Sequence, residues 1–202
     1  MPLVSAEGAE VPGLERLEHL PMENPLSSEW VRVIHQDHQG FLWLGSINGI
    51  HRFDGLTVKS FAHDPGDPHS LPNNFINAIF ADRRGVLWVA TADGLARMDT
   101  SPAPTKTTTR EFVTSNTAGR FRTYRHDSDS PGSLSHNYVH ALVEGPQGEL
   151  WVGTRVGVSR FDRELERFEH FEGEPSDLPG TLTYSAMLSR SSELWFGSSG
   201  PN

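Results

Sequence analysis

A tryptophan-centred motif recurs four times and constrains the fold more than any other feature of the chain. Its copies are GFLWLGSINGIHRFDG, GVLWVATADGLARMD, GELWVGTRVGVSRFD and the shorter SELWFGSS. The motif tryptophans are Trp43, Trp88, Trp151 and Trp195. A small residue follows each tryptophan by two positions, and in the first three copies an aspartate follows by eleven. Self-similarity at a period of about 45 residues is typical of repeat architectures.

The segments around each motif predict β-strands. Short apolar or β-branched runs such as WVRVIH, FINAIF and YVHALV precede the motif, and further strands follow it. The turns QDHQG and ADRRG end in a glycine that supplies positive φ, and Asn48-Gly49 and Asp93-Gly94 are two-residue hairpin signals. No segment has a sustained helical period. Each copy therefore predicts a four-stranded antiparallel meander.

The recurring tryptophan indicates how such sheets pack. An indole side chain has roughly 150–250 Å² to bury, and one isolated sheet cannot cover it. Radial stacking of sheets buries it between neighbours, which predicts an all-β fold, a β-propeller whose blades are the meanders. We expect all four tryptophans in the blade core. The alternative is a β-sandwich with accidental similarity, although sandwich strands do not repeat a tryptophan frame so closely.

Composition excludes several classes of function. The 202 residues carry a formal net charge of −9. A nucleic-acid binder needs a basic face to displace counterions from phosphate, so no nucleic-acid partner is expected. Cysteine is absent, which rules out a disulfide framework or thiolate site. No apolar run reaches the roughly 18 residues of a membrane helix, and the N-terminus lacks the features of a signal peptide.

The repeats resemble the two-component regulator propeller family. Its pattern is an apolar strand, Asp-x-x-Gly, an apolar pair around tryptophan, Gly-Thr, and a turn into Gly-apolar-x-Arg-Phe-Asp. QDHQGFLWLGSINGIHRFDG and ELWVGTRVGVSRFD are similar to it, whereas GPQG and SRSSE replace the first turn in the third and fourth copies. The linking stretches FAHDPGDPHSLPNNFINAIF and YRHDSDSPGSLSHNYVHALV also resemble the blade connections of the family.

The resemblance implies a function and a location. It implies the sensor region of a bacterial membrane receptor that precedes a membrane helix and a histidine kinase, or sometimes a diguanylate cyclase. A periplasmic location and a small-molecule or oligosaccharide ligand follow from it, with sugars derived from polysaccharides as one known ligand class. The family brings no catalytic residues, and we expect no cofactor.

The repeats predict an incomplete ring. We expect a disordered segment at 1–14 and an outer strand at 15–20, where ERLEHL resembles the later ERFEHF. The remaining expected units are blades at 30–62, 75–126 with an inserted loop at 100–119, and 138–171, and an incomplete blade at 182–202. Known rings have about four to eight blades, so about three and a half predict the N-terminal part of a larger receptor. The remaining blades and the kinase domains would be its partners.

One polar position varies on the predicted innermost strand while its neighbours stay apolar or small. It lies eleven residues before each tryptophan and holds Arg32, Asn77, His140 and Tyr184. Because innermost strands line the channel of a propeller, these residues are candidate ligand contacts. The alternative is a solvated channel wall without a ligand.

Two histidine patterns favour structural roles. His63-Asp64 and His126-Asp127 recur in the blade connections, where satisfying the backbone of a turn is a better explanation than general-base chemistry. His35 and His38 have a spacing that suggests a metal, but strand alternation would point His35 away from its neighbours. We therefore expect no metal site.

These observations predict a non-enzymatic ligand sensor. One alternative is a propeller enzyme of the streptogramin-lyase type, which resembles this repeat and uses a histidine, an acidic residue and a divalent metal in later blades. The other alternative is a protein-interaction scaffold that uses the acidic surface and the inserted loop. That loop is either a tolerated surface insertion or a partner-binding arm.

Overall fold

The computed structural model describes residues 30–99, 119–171 and 182–199. Within these ranges the chain forms strands and no helix, in agreement with the all-β prediction. The strands are β1 Val33–Gln36, β2 Leu42–Gly45, β3 Ile50–Phe53, β4 Val58–Phe61, β5 Ile76–Ala81, β6 Leu87–Thr91, β7 Gly94–Met98, β8 Phe121–Tyr124, β9 Val139–Glu144, β10 Leu150–Thr154, β11 Val158–Asp162, β12 Arg167–Phe171, β13 Thr183–Leu188 and β14 Leu194–Ser198. The predicted segments 1–14 and 15–20, and residues 100–118 of the predicted insertion, lie outside the described residues.

The strands form four antiparallel sheets in the order of the chain. β1–β4, β5–β8 and β9–β12 are four-stranded meanders, and β13 pairs with β14 in the last described sheet. The first strands of successive sheets lie against one another, because β1 contacts β5, β5 contacts β9 and β9 contacts β13. The first strands are therefore nearest to the common axis. This arrangement confirms the predicted incomplete β-propeller.

Among the described residues the core consists of two apolar clusters, each between neighbouring sheets. In the first cluster Trp43 of the first sheet, 3% exposed, packs with Ile79 of the second sheet. In the second cluster Trp88 of the second sheet, 0% exposed, packs with Phe161 of the third, with ring centroids 5.2 Å apart. These two tryptophans thus lie between radially arranged sheets, where an indole can bury most of its surface.

The two later tryptophans are less covered. Trp151 is half-buried against Phe171 and Phe196, at centroid distances of 4.9 and 6.1 Å. Trp195 is 60% exposed, so the prediction that it belongs to the blade core is wrong. It lies on β14 opposite Met187, and within the described ranges no further sheet packs on that face.

The Asp-x-x-Gly turn ties each of the first two sheets to its tryptophan. Asp37 accepts hydrogen bonds from the backbone of the turn and from Trp43 Nε1 at 2.8 Å. Asp82 does the same for Trp88 Nε1 at 2.9 Å. The glycine that ends the turn has positive φ in all three copies, as the sequence predicted; the values are 88° at Gly40, 79° at Gly85 and 87° at Gly148.

A different residue takes over this role in the third sheet. Gly145 stands where the first two copies have aspartate, and Glu149 supplies the missing carboxylate. Its Oε2 accepts from Gln147 N at 3.0 Å, and its Oε1 accepts from Trp151 Nε1 at 3.1 Å. The departure from the family pattern therefore preserves the link between turn and indole.

The second turn of the motif lies one residue earlier than its sequence suggests. Ser46 N donates to Gly49 O at 3.0 Å, so Ile47 and Asn48 occupy the loop rather than Asn48 and Gly49. Gly49 has a φ of 122°, and a Cβ there would lie 2.2 Å from Phe61 O on the fourth strand. Glycine is therefore required at this position for two reasons: the positive φ of its backbone and the close approach of the outer strand.

Two histidines connect the first sheet to the second. His35 Nε2 accepts a hydrogen bond from Ala81 N at 3.0 Å, which requires a neutral ring with its proton on Nδ1. His38 Nε2 donates to Asp82 O at 2.9 Å. Burial lowers the pKa of His35, and the neighbouring Asp37 offsets only part of that effect.

The contact of His35 predicts a pH-dependent stability. Its pKa is lowered in the folded chain, so the unfolded chain binds a proton that the fold excludes. We expect the free energy of unfolding to be highest above pH ~6.5 and to fall as the pH drops through the lowered pKa. Urea unfolding at pH 7.5 and 5.5, followed by tryptophan fluorescence, measures this difference. His35→Gln should reduce it, and the exposed control His69→Gln should not; equal pH dependence in both variants would contradict the assignment.

Candidate functional site

The candidate channel residues occupy the same position in their sheets. The register between first and second strands shifts at Asn77, His140 and Tyr184, which leaves each of them without an opposing residue. Such a β-bulge re-aims the side chain of the extra residue. Arg32 lies just before β1, where its backbone N donates to Gly45 O at 2.8 Å. We call Arg32, Asn77, His140 and Tyr184 the bulge row.

The small residue after each tryptophan lets neighbouring inner strands approach closely. A Cβ on Gly45 would lie 2.7 Å from Ile76 Cγ2, at the start of the next inner strand. A Cβ on Gly153 would likewise lie 2.7 Å from Thr183 Cγ2. These two glycines therefore let β5 and β13 pack closely against the preceding sheet.

Members of the bulge row reach towards the next sheet. The guanidinium of Arg32 lies 4.3 Å from the ring centroid of Phe75. Asn77 Nδ2 donates to Val139 O at 2.7 Å. The ring of His140 lies 5.1 Å from that of Tyr184. Each of these three members therefore contacts the following sheet or the residue just before it, and His140 and Tyr184 contact each other directly.

His140 has a buried ring nitrogen that is not hydrogen-bonded. Its Nε2 is buried and has no hydrogen-bond partner among the described residues. Burial lowers the pKa of His140, and the charge of Arg155 lowers it further, which favours the neutral ring. Its ring stacks 4.6 Å from Tyr138, and Tyr184 on its other side is 54% exposed. The three rings form an aromatic surface with one free ring nitrogen.

Sequence reasoning missed Phe75 and Tyr138, which support the bulge row. Both stand thirteen residues before a motif tryptophan, and Trp30 occupies that position in the first copy. Aromatic residues at one repeat position were a usable signal. Strand alternation alone could not reveal it, because the bulge interrupts the alternation between this position and the rest of the strand.

The recurring His-Asp pairs organise the blade connections. His63 Nδ1 donates to Leu71 O at 2.6 Å, and Asp64 N donates to Ser70 Oγ at 2.9 Å. The second connection repeats these bonds, from His126 Nδ1 to Leu134 O at 2.8 Å and from Asp127 N to Ser133 Oγ at 2.9 Å. Both pairs satisfy backbone groups, as the structural interpretation predicted.

The described parts of the chain contain no cluster of three or more histidine, aspartate or glutamate side chains that could hold a metal ion. They also contain no helix with the length and apolarity to cross a membrane.

The four successive sheets define an incomplete β-propeller. A family model described as "Two component regulator propeller" matches residues 25–48, 70–93 and 133–155. The chain thus carries three repeats of the two component regulator propeller family. No curated protein matches the chain significantly.

Two solved structures illustrate the similarity. The extracellular domain of BT3049 from B. thetaiotaomicron, assigned to a hybrid two component system, is 26% identical, with a TM-score of 0.72 over 90% of this chain. PorZ from Porphyromonas gingivalis, a surface component of the type-IX secretion system, is 16% identical, with a TM-score of 0.60 over 91% of the chain, and shares the fold alone. The chain spans 24% of the first protein and 27% of the second.

Proposed function

We propose that this chain is a non-catalytic, ligand-sensing part of the propeller of a bacterial two-component receptor. The observation that carries the proposal is the bulge row. Asn77, His140 and Tyr184 occupy one unpaired position in successive sheets, and their side chains differ while the packing residues around them recur. A scaffold that keeps its core and varies one inner position suits selective binding near the axis.

An oligosaccharide is the ligand that best fits the chemistry of this surface. The C–H face of a sugar ring can pack on the rings of Tyr138, His140 and Tyr184, while its hydroxyls need hydrogen-bond partners. The buried, unpaired Nε2 of His140 would supply one such partner once the ring turns towards the ligand. Tyr184 is 54% exposed and offers an aromatic ring together with a polar hydroxyl.

The receptor context rests on the repeat family and on BT3049. The matched region of BT3049 is an extracellular domain, which supports an extracytoplasmic, periplasmic location for this propeller. The remaining blades and a histidine kinase would be partners in the receptor. Ligand binding at the inner strands would change the equilibrium between propeller states, and the kinase would report that change.

The proposal is tested by titrating the 202-residue chain with a panel of oligosaccharides released from plant and host polysaccharides, using isothermal titration calorimetry. We expect at least one saturable ligand. Tyr184→Ala should weaken it about tenfold, equivalent to about 1.4 kcal/mol. His140→Ala should weaken it further, because it removes both a ring and the free nitrogen.

Trp195→Ala is the matched control, because Trp195 is an aromatic residue of similar exposure that lies outside the bulge row. Its removal should leave the affinity unchanged. Absence of binding across the panel, or equal losses in the Trp195 and Tyr184 variants, would overturn the proposal.

A further inference from the structure

A small cleft between the second and third sheets brings together three arginines. Its lining includes Arg84, Arg97 and Arg163, together with the carboxylate of Asp99, and its volume is about 190 Å³. Arg84 follows the end of β5, whereas Asn77 of the bulge row stands near the start of the same strand. The cleft is therefore at the opposite end of the strands from the proposed ligand surface.

Only one of these arginines belongs to the repeat. Arg97 lies 6.0 Å from the ring of Trp88, and Arg160 has the same relation to Trp151. At the position of Arg84 the neighbouring copies have Gln39 and Gln147, and at the position of Arg163 they have Gly55 and Thr100. Arg84 and Arg163 are therefore not part of the repeat pattern, yet they meet at one cleft.

Arg163 has a donor that the chain leaves unused. Its Nη1 pairs with Asp82 Oδ2 at 2.7 Å, and its side chain is 15% exposed. Its Nη2 is buried and has no hydrogen-bond partner among the described residues; Glu144 Oε1 lies 3.8 Å away, beyond hydrogen-bond distance. An unpaired buried donor is costly, and a charged one more so, which favours an external acceptor in the cleft.

The positive charges of the other two arginines are only partly compensated by neighbouring carboxylates. Arg84 is exposed and makes no ion pair within the described residues. Arg97 Nη1 donates to Glu166 Oε1 at 3.2 Å, but Glu166 also accepts from Arg122 Nη1 at 2.8 Å and is thus shared by two guanidiniums. Asp99 opposes this charge from the rim of the cleft.

We propose that the cleft binds a tetrahedral oxyanion, phosphate or sulfate, held by Arg163 from the interior and by Arg84 from the solvent side. Guanidinium groups suit such anions because each presents several N–H donors in a planar fork. The cleft is smaller than the roughly 300–1,000 Å³ of typical organic-ligand pockets, so it fits the anionic group rather than a large molecule. Anion binding across this seam would link the second sheet to the third.

Titration of the full 202-residue chain with sodium sulfate and with sodium phosphate, at ionic strength held constant with chloride, tests the proposal by isothermal titration calorimetry. We expect saturable binding of at least one anion. Arg84→Ala should weaken it about tenfold, and Asp99→Asn should strengthen it because a repelling carboxylate is removed. A parallel titration with glucose 6-phosphate distinguishes a free anion from an anionic ester as the source.

Arg83→Ala is the matched control, because Arg83 neighbours Arg84 but donates to Pro146 O at 3.1 Å and does not line the cleft. The Arg83→Ala variant should bind the anion with the same affinity as the unchanged chain. Circular dichroism checks that each variant is folded. If neither the inorganic anions nor the ester shows saturable binding, or if Arg83→Ala and Arg84→Ala weaken binding equally, the cleft is not a specific oxyanion site.

Discussion

Replacing Trp88 with alanine should lower the free energy of unfolding by about 3–5 kcal/mol. Trp88 is fully buried, and its ring lies 5.2 Å from Phe161 of the next sheet and 6.0 Å from Tyr124 of its own. Alanine leaves a cavity between the two sheets, and neither sheet can move to fill it without disturbing its other contacts. It also removes the hydrogen bond that Trp88 Nε1 donates to Asp82 Oδ2 at 2.9 Å, so a buried carboxylate loses one of its partners.

Urea unfolding monitored by far-ultraviolet circular dichroism measures the effect of Trp88→Ala without relying on the fluorescence of the removed residue. The matched control is Trp195→Ala, which changes the same residue type at the same repeat position. Trp195 is 60% exposed, so its loss should cost less than about 1 kcal/mol. If both variants lost a similar free energy of unfolding, burial between the sheets would not be the source of the contribution of Trp88 to stability.

Asp82→Asn should be the second severe change, with an expected loss of about 2–4 kcal/mol. Asp82 is fully buried and accepts from Val86 N at 3.0 Å and Trp88 Nε1 at 2.9 Å, while its Oδ2 pairs with Arg163 at 2.7 Å. An asparagine side chain has only one oxygen that can accept hydrogen bonds, so it cannot serve all of these donors. Its neutral amide also removes the negative charge that pairs with Arg163. Burial raises the pKa of Asp82, but the hydrogen bonds from Trp88, Val86 and Arg163 outweigh burial and leave that pKa below its ordinary value.

The control for Asp82→Asn is Asp37→Asn, because Asp37 accepts the same backbone and indole bonds without a described arginine partner. It should lose about half as much, and the difference between the two variants measures the pairing with Arg163. Both are compared by urea unfolding at pH 7. Because the pKa of Asp82 is lowered in the fold, the stabilisation by its charge should persist above pH ~4 and disappear as the pH falls through the lowered value. An equal loss in the two variants would mean that the Arg163 pair contributes nothing.

The fold was predictable because the motif repeats residues with a local physical role: the tryptophan, the glycines and the turn aspartate. A glycine with positive φ and an indole that needs two sheets around it can be recognised from sequence alone. The same repeats identified the positions of the bulge row, since Asn77, His140 and Tyr184 vary where their neighbours do not. The bulge itself was not predictable, because it depends on the pairing register between two strands.

Contacts between sheets were the part that the sequence could not supply. Glu149 is different, because Glu193 holds the same position in the fourth copy, which also lacks the turn aspartate, so a comparison of the copies could have found it. Arg84 and Arg163 meet only because the third sheet packs on the second. The exposure of Trp195 likewise depends on what covers its sheet and not on the motif around it.

The unpaired position on each inner strand has a consequence for how such proteins diversify. Ladder pairing within each sheet is completed by the residues on either side of it, so the bulge side chain is exempt from that pairing, although Asn77 still donates to Val139 O of the next sheet. With the binding role proposed above, substitutions there would alter recognition with little loss of ladder pairing, and each sheet would add one such position. A lineage of these propellers would then acquire new chemical preferences one blade at a time while the architecture stays unchanged.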